Sequence, residues 1–227
     1  MSALPAKTAA NTIIVNKKGE ITLGGAVITG LNGGIYYLDS NLSLSGKPPF
    51  TVTGNTTIIA GSNAAGVPLT SGGPDIAITG QGGILVASTS PTPSRLNLFT
   101  SGDLSICGNG ILTGTAVSPA VPNPGMLYIS GLGVPLKPGD KPTQTITMTG
   151  NGALSGVVYA PAALLELKGG GSKGSLTGSI VSWDITANGV ITFFYDVNLA
   201  EVYTPKFRVG SITELNGAAK VPMDDIP

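Results

Sequence analysis

The 227-residue chain has no histidine, a single cysteine and two arginines, Arg95 and Arg208. Without histidine, it lacks the side chain that most often moves protons near neutral pH and most often ligates zinc. One thiol, Cys107, cannot form an internal disulfide, a CxxC pair or an iron–sulfur site. Charge is scarce. Asp, Glu, Lys and Arg make up 11% of the residues, against about 25% in an average protein. Twelve basic residues balance 12 acidic ones, and a neutral chain this poor in arginine is a weak partner for a phosphate backbone, which argues against nucleic acid. Long apolar runs are also missing. The longest nearly apolar stretch, Val157 to Leu165, contains Pro161 and falls far short of the ~20 residues that span a bilayer as a helix. The first ten residues hold no apolar core of signal-peptide length, so the expectation is a soluble chain with no membrane span. Disorder is excluded by an apolar content of 41% and a mean hydropathy of +0.32, since disordered chains combine low hydrophobicity with net charge.

Glycine, by contrast, is abundant: 34 residues, about 15% of the chain, twice the usual share of roughly 7%. Its placement is regular. Short alternating segments run repeatedly into a Gly/Asn bend, as in Leu42-Ser-Leu44-Ser-Gly46, Phe50-Thr-Val52-Thr-Gly54 and Ile76-Ala-Ile78-Thr-Gly80. The motif returns as Leu104-Ser-Ile106-Cys-Gly108, Ile146-Thr-Met148-Thr-Gly150, Leu165-Glu-Leu167-Lys-Gly169 and Trp183-Asp-Ile185-Thr-Ala187. Alternation with period two marks strands with one buried face, and no amphipathic helix of three turns is visible. A basic repeat of about 20 residues, stretched by insertions, points to an all-β solenoid. The specific expectation is a right-handed parallel β-helix of roughly eight to ten coils over residues 1–200, each coil rising about 4.8 Å. An antiparallel β-sandwich is the alternative, although it does not need one motif to return in one phase.

The alternation assigns faces. The Leu, Ile, Val, Met, Phe and Trp residues just named, Trp183 and Ile185 included, are expected inside. The residues between them are expected outside, and they are rich in hydroxyls. Thr51, Thr53, Thr79, Thr147, Thr149 and Thr186 form the candidate interaction face, a repeated row of threonines on a strand surface. Good β-propensity on a solvated strand gives the same pattern. Residues 116–142, with six prolines, read as a loop insertion carrying one strand at Met126–Ser130. Residues 61–75 and 88–95 read as shorter excursions. Thr12–Val15 is expected to be a strand covering the first coil, and residues 201–227 a cap or tail.

The stretch Gly152-Ala-Leu-Ser-Gly-Val-Val-Tyr-Ala-Pro161, followed by Leu176-Thr-Gly-Ser-Ile-Val-Ser182 and by Phe193-Phe-Tyr-Asp196, resembles an uncharacterised β-helical domain of bacterial pilus-associated and cell-surface proteins. The resemblance is best over residues 145–200. In that family a histidine usually precedes the Tyr-Asp pair; here the position is Phe194. The resemblance implies a setting, an extracellular or cell-surface location in a pilus or filament, rather than a chemistry.

No catalytic, metal or cofactor set emerges from the sequence. The acidic residues Asp39, Asp75, Asp103, Asp140, Glu166, Asp184 and Asp196 are dispersed. Glu166 and Asp184 lie one repeat apart, and with Lys168 they read as a solvated charge cluster. Cys107 takes the place of Thr in the outward row and has no histidine to activate it. The expected function is therefore non-enzymatic: a structural or adhesive module that self-associates or binds other surface or filament proteins. A polysaccharide-binding or polysaccharide-degrading β-helix is the second reading, and an ice-binding protein the third.

Overall fold

The computed structural model describes residues 4–45, 48–79, 83–88, 94–108, 110–115, 123–134, 136–150, 153–169, 175–189 and 192–195. Among these the chain is all-β, with two single-turn 3-10 segments at Ala9–Asn11 and Pro124–Met126. The early strands are β1 (Thr12–Val15), β2 (Ile21–Leu23), β3 (Ala26–Val27), β4 (Gly30–Leu38), β5 (Leu42–Leu44) and β6 (Phe50–Ala60). The middle of the chain supplies β7 (Ile76–Ile78), β8 (Ile84–Ser88), β9 (Arg95–Thr100), β10 (Leu104–Ile106), β11 (Ile111–Thr115) and β12 (Leu127–Gly131). The last four are β13 (Gln144–Gly150), β14 (Ala153–Gly169), β15 (Ser175–Asn188) and β16 (Thr192–Tyr195). The strand expected at Met126–Ser130 is β12, and the one expected at Thr12–Val15 is β1.

Apart from β1–β2 and β2–β3, which are antiparallel, the strand pairs are parallel, and like motifs pair in phase. Leu104 lies between Ile76 and Ile146, and Ile106 between Ile78 and Met148. The row extends from Ile76 to Leu42 on one side and from Ile146 through Leu165 to Ile185 on the other. Each residue therefore meets a neighbour of similar shape, which favours aligned apolar rows over charge pairing.

The right-handed parallel β-helix expected from the repeat is corrected by how the pairing closes. β6, β8, β11, β14, β12 and β9 join in that order, and β9 returns to β6, giving a closed parallel barrel of six strands with the remaining strands outside it. Two long strands make the closure. β6 pairs with β8 through Phe50–Val52 and with β9 through Asn55–Ala60. β14 pairs with β11 at Leu154 and with β12 through Val157–Tyr159. The sequence repeat reports which motifs stack. It does not report that the chain stays strand through its bends and so links separate stacks into a ring.

The core follows the predicted alternation along most of the chain. Leu42, Leu44, Phe50, Val52, Ile76, Ile78, Leu104, Ile106, Ile146, Met148 and Leu165 are buried, and Leu167 packs half-buried against them. Trp183 and Ile185 depart from it, at 39% and 52% exposed. They sit on β15, beyond which only β16 follows among the described residues, and β16 pairs with Ser175–Gly178 alone. Inward phase buries a side chain only where a further layer covers it. Residues 116–122 of the proline-rich insertion and the 201–227 cap or tail lie outside the described residues.

Candidate interaction surfaces

The six threonines singled out from the sequence fall into two groups. Thr79, Thr147, Thr149 and Thr186 belong to the stack built on β5, β7, β10, β13 and the C-terminal halves of β14 and β15. In the register of that stack the outward row reads Ser43, Ala77, Ser105, Thr147, Glu166 and Thr186. Thr149 pairs with Lys168. The Thr79 N–H donates to the Leu44 carbonyl at 2.8 Å, and the N–H of the neighbouring half-buried Cys107 donates to the Ile78 carbonyl at 2.7 Å. Thr51 and Thr53 lie on β6 instead, where Thr51 pairs with Gly30 and Leu85, and Thr53 with Asn32. The Thr53 hydroxyl donates to Leu31 O at 3.3 Å. These two threonines line an open groove of about 650 Å³ together with Val27, Ile28, Pro48 and Pro49. The threonines are thus not one flat array, and Ala77, Glu166 and Lys168 interrupt the longer row. The evenly repeated hydroxyl surface that the ice-binding reading requires is not formed by them.

The charge cluster takes a definite form. Lys168 Nζ donates to Glu166 Oε2 at 2.6 Å, and Thr147 Oγ1 to the same oxygen at 3.4 Å. The lysine's hydrogen bond holds the Glu166 carboxyl below its ordinary pKa of 4.5; partial burial pushes the other way, and the charge of Lys168 and the hydroxyl of Thr147 add to the lowering. Asp184 pairs in register with Leu164 rather than with Glu166, and its Oδ1 accepts from the Ile185 N–H at 2.8 Å. Among the described residues no group of three or more Cys, Asp or Glu side chains is placed to hold a metal.

The dispersed aspartates do meet, but to bind backbone. Asn41 Oδ1 accepts from Asp75 N–H at 3.0 Å, Asp75 Oδ1 from Asp103 N–H at 2.9 Å, and Asp103 Oδ1 from Thr145 N–H at 2.7 Å. Each of these residues directly precedes an apolar-x-apolar doublet: Leu42/Leu44, Ile76/Ile78, Leu104/Ile106 and Ile146/Met148. The signal in the sequence is an Asn or Asp just before the strand, which period-two alternation does not report. The side chain does here what an Asx residue does at a turn, satisfying a backbone donor at the point where a strand begins.

Strands β15 and β16 carry several exposed apolar side chains. Val181, Trp183, Ile185, Phe193, Phe194 and Tyr195 are all exposed, from 39% to 58%. One edge of β15 beyond Gly178 has no strand partner among the described residues. The opposite end differs, because the antiparallel strands β1, β2 and β3 pack there and β1 pairs with Tyr37 and Leu38 of β4.

Fold and surfaces together define an all-β domain, a parallel barrel with outside strands, whose distinguishing features are faces and an edge. Residues 8–202 match the family described as a domain of unknown function (DUF7305), and the chain belongs to that family. No curated protein and no solved structure matches it.

Proposed function

We propose that this domain is a non-enzymatic structural or adhesive module of a bacterial surface, pilus or filament assembly, and that it associates with further copies of itself through its C-terminal end. The carrying observation is the set of exposed apolar side chains on β15 and β16, Val181, Trp183, Ile185, Phe193, Phe194 and Tyr195. Exposed apolar side chains gathered on neighbouring strands are a common feature of interaction sites. Strand edges in proteins that stay monomeric are guarded by charge, proline or bulges. Along Ser182–Asn188 the only charged residue is Asp184, and Thr192–Tyr195 carries none. A second copy is the occupant this chemistry fits best, because an apolar patch and an open edge are complementary to themselves. The extracellular setting is supported by the resemblance of residues 145–200 to pilus-associated domains.

Sedimentation velocity of the whole chain over a wide concentration range tests the reading. The expected result is a concentration-dependent shift to larger species that Trp183→Glu and Ile185→Lys each abolish. A strict monomer at every concentration overturns self-association, as does association that both variants leave intact.

A further inference from the structure

The stacked strands pass their hydrogen bonds forward in a fixed pattern. The inward residue of one layer donates to the carbonyl just before its partner in the next: Leu42 N–H to Asp75 O at 2.9 Å, and Ile76 N–H to Asp103 O at 2.9 Å. Its carbonyl accepts from the N–H just after that partner, as Leu44 O does from Thr79 at 2.8 Å and Ile78 O from Cys107 at 2.7 Å. Ile185 pairs with Leu165 at the same inward phase, so its N–H and C=O face the open side of β15. There the Ile185 N–H donates to the neighbouring carboxylate, Asp184 Oδ1, at 2.8 Å. A side chain thus stands where the pattern calls for a strand carbonyl.

The chain itself carries a strand of the right kind. β16 meets β15 at a constant offset of 17 residues, from Ser175 with Thr192 to Gly178 with Tyr195. The same offset continued past Tyr195 sets Val197 beside Ile180, Ala200 beside Trp183, Glu201 beside Asp184 and Val202 beside Ile185. Ala200-Glu-Val202 repeats the apolar–acid–apolar order of Trp183-Asp-Ile185 and Leu165-Glu-Leu167. Pro205 falls opposite Asn188 and has no N–H to give the Ala187 carbonyl. The match therefore stops where β15 stops, at Asn188.

We propose that residues 196–204, which lie outside the described residues, add along β15 as one further parallel strand, cover Trp183 and Ile185, and so compete with a second copy for this edge. The competition rests on the self-association proposed above; the added strand does not. The cover is built to be weak, because like charges side by side on neighbouring strands are unfavourable and the register places Glu201 next to Asp184. A weakly held strand is one that a second copy can displace.

Trp183 is the only tryptophan, so its fluorescence reads the cover directly. The whole chain is compared with Val202→Asp, Tyr203→Pro and Glu201→Gln in two ways: acrylamide quenching of Trp183 at a concentration where each sediments as a monomer, and sedimentation velocity at higher concentration. Val202→Asp puts a charge beside Ile185, and Tyr203→Pro removes the N–H due to the Ile185 carbonyl. Both are expected to shift Trp183 emission to the red and make it more easily quenched, and either one decides if the other fails to fold. Both are expected to tighten self-association, about tenfold if the strand covers nine molecules in ten. Glu201→Gln relieves the repulsion and is expected to act oppositely on both readouts. Quenching that none of the three variants moves overturns the added strand, whatever the sedimentation shows. Quenching that moves as expected while association stays unchanged overturns the competition. A chain that remains monomeric in every variant, with the quenching response intact, overturns the self-association reading and leaves the added strand standing.

Discussion

Asp75 and Asp103 stand 28 positions apart in the chain, and the carboxylate of the first accepts the backbone N–H of the second at 2.9 Å. The relationship repeats on either side, from Asn41 to Asp75 and from Asp103 to Thr145. Each contact ties one strand start to the next. Removing the acceptor leaves an exposed N–H to water, so Asp75→Ala is expected to lower stability by about 1 kcal/mol. Asp75→Asn keeps an acceptor oxygen and is expected to cost less than half of that. Urea denaturation of both variants checks it; equal losses would mean that the contact is not what matters at this position.

Ile78 and Ile185 occupy inward positions of the repeat, yet their surroundings differ. Ile78 is fully buried, and Ile185 is 52% exposed. Ile78→Ala removes packing on all sides and is expected to destabilise by about 2–5 kcal/mol. Ile185→Ala is expected to cost less than about 1 kcal/mol in the monomer and to act mainly on association. Denaturant midpoints measured at low protein concentration separate the two.

Gly178 carries a steric requirement. Its φ is +140°, and a Cβ there would stand 1.9 Å from the carbonyl oxygen of Gly156 on the paired strand. That obstacle is backbone, which a rotamer change cannot relieve. Gly178→Ala is expected to destabilise by more than about 3 kcal/mol, among the severe single substitutions. Gly72 has φ +67° and open space around its Cβ position, so Gly72→Ala pays only the backbone penalty of about 1–2 kcal/mol. Thermal melts of the two variants should rank in that order.

Glu166 links stability to acid. Its folded carboxyl titrates below the unfolded value of 4.5, chiefly because Lys168 donates a hydrogen bond to it. A lowered folded pKa means that the pair's stabilisation is present above the unfolded value and is lost as pH falls through the folded one. Carboxyl NMR titration is expected to place the Glu166 midpoint below 4.5, and Lys168→Met to move it upward. A midpoint that Lys168→Met leaves unmoved would assign the lowering to another group.

Alternation showed the strands and their phase plainly, because period two is written directly in Leu104-Ser-Ile106 or Ile146-Thr-Met148 and needs no knowledge of partners. The in-phase stacking of Leu104 between Ile76 and Ile146 was legible for the same reason: similar motifs were expected side by side. The candidate threonine face was less so. Thr51 and Thr53 share their local pattern with Thr147 and Thr149, and only the path of β6 sends them to a different surface. Residues 61–75 were legible only as an excursion from the repeat, and the Lys7–Asp39 ion pair joins residues 32 positions apart, a proximity that composition does not encode.

The amino-acid order alone determined that the chain is all-β and which positions alternate inward, because these are properties of single residues and their nearest neighbours. Tertiary structure alone decided that β6 and β14 each bridge two partners and close six strands into a ring. It also decided that Trp183 and Ile185, inward by phase, stand open to water. Closure and coverage depend on which strand lies next in space, and a pattern that repeats along a chain carries no mark of where the last layer ends.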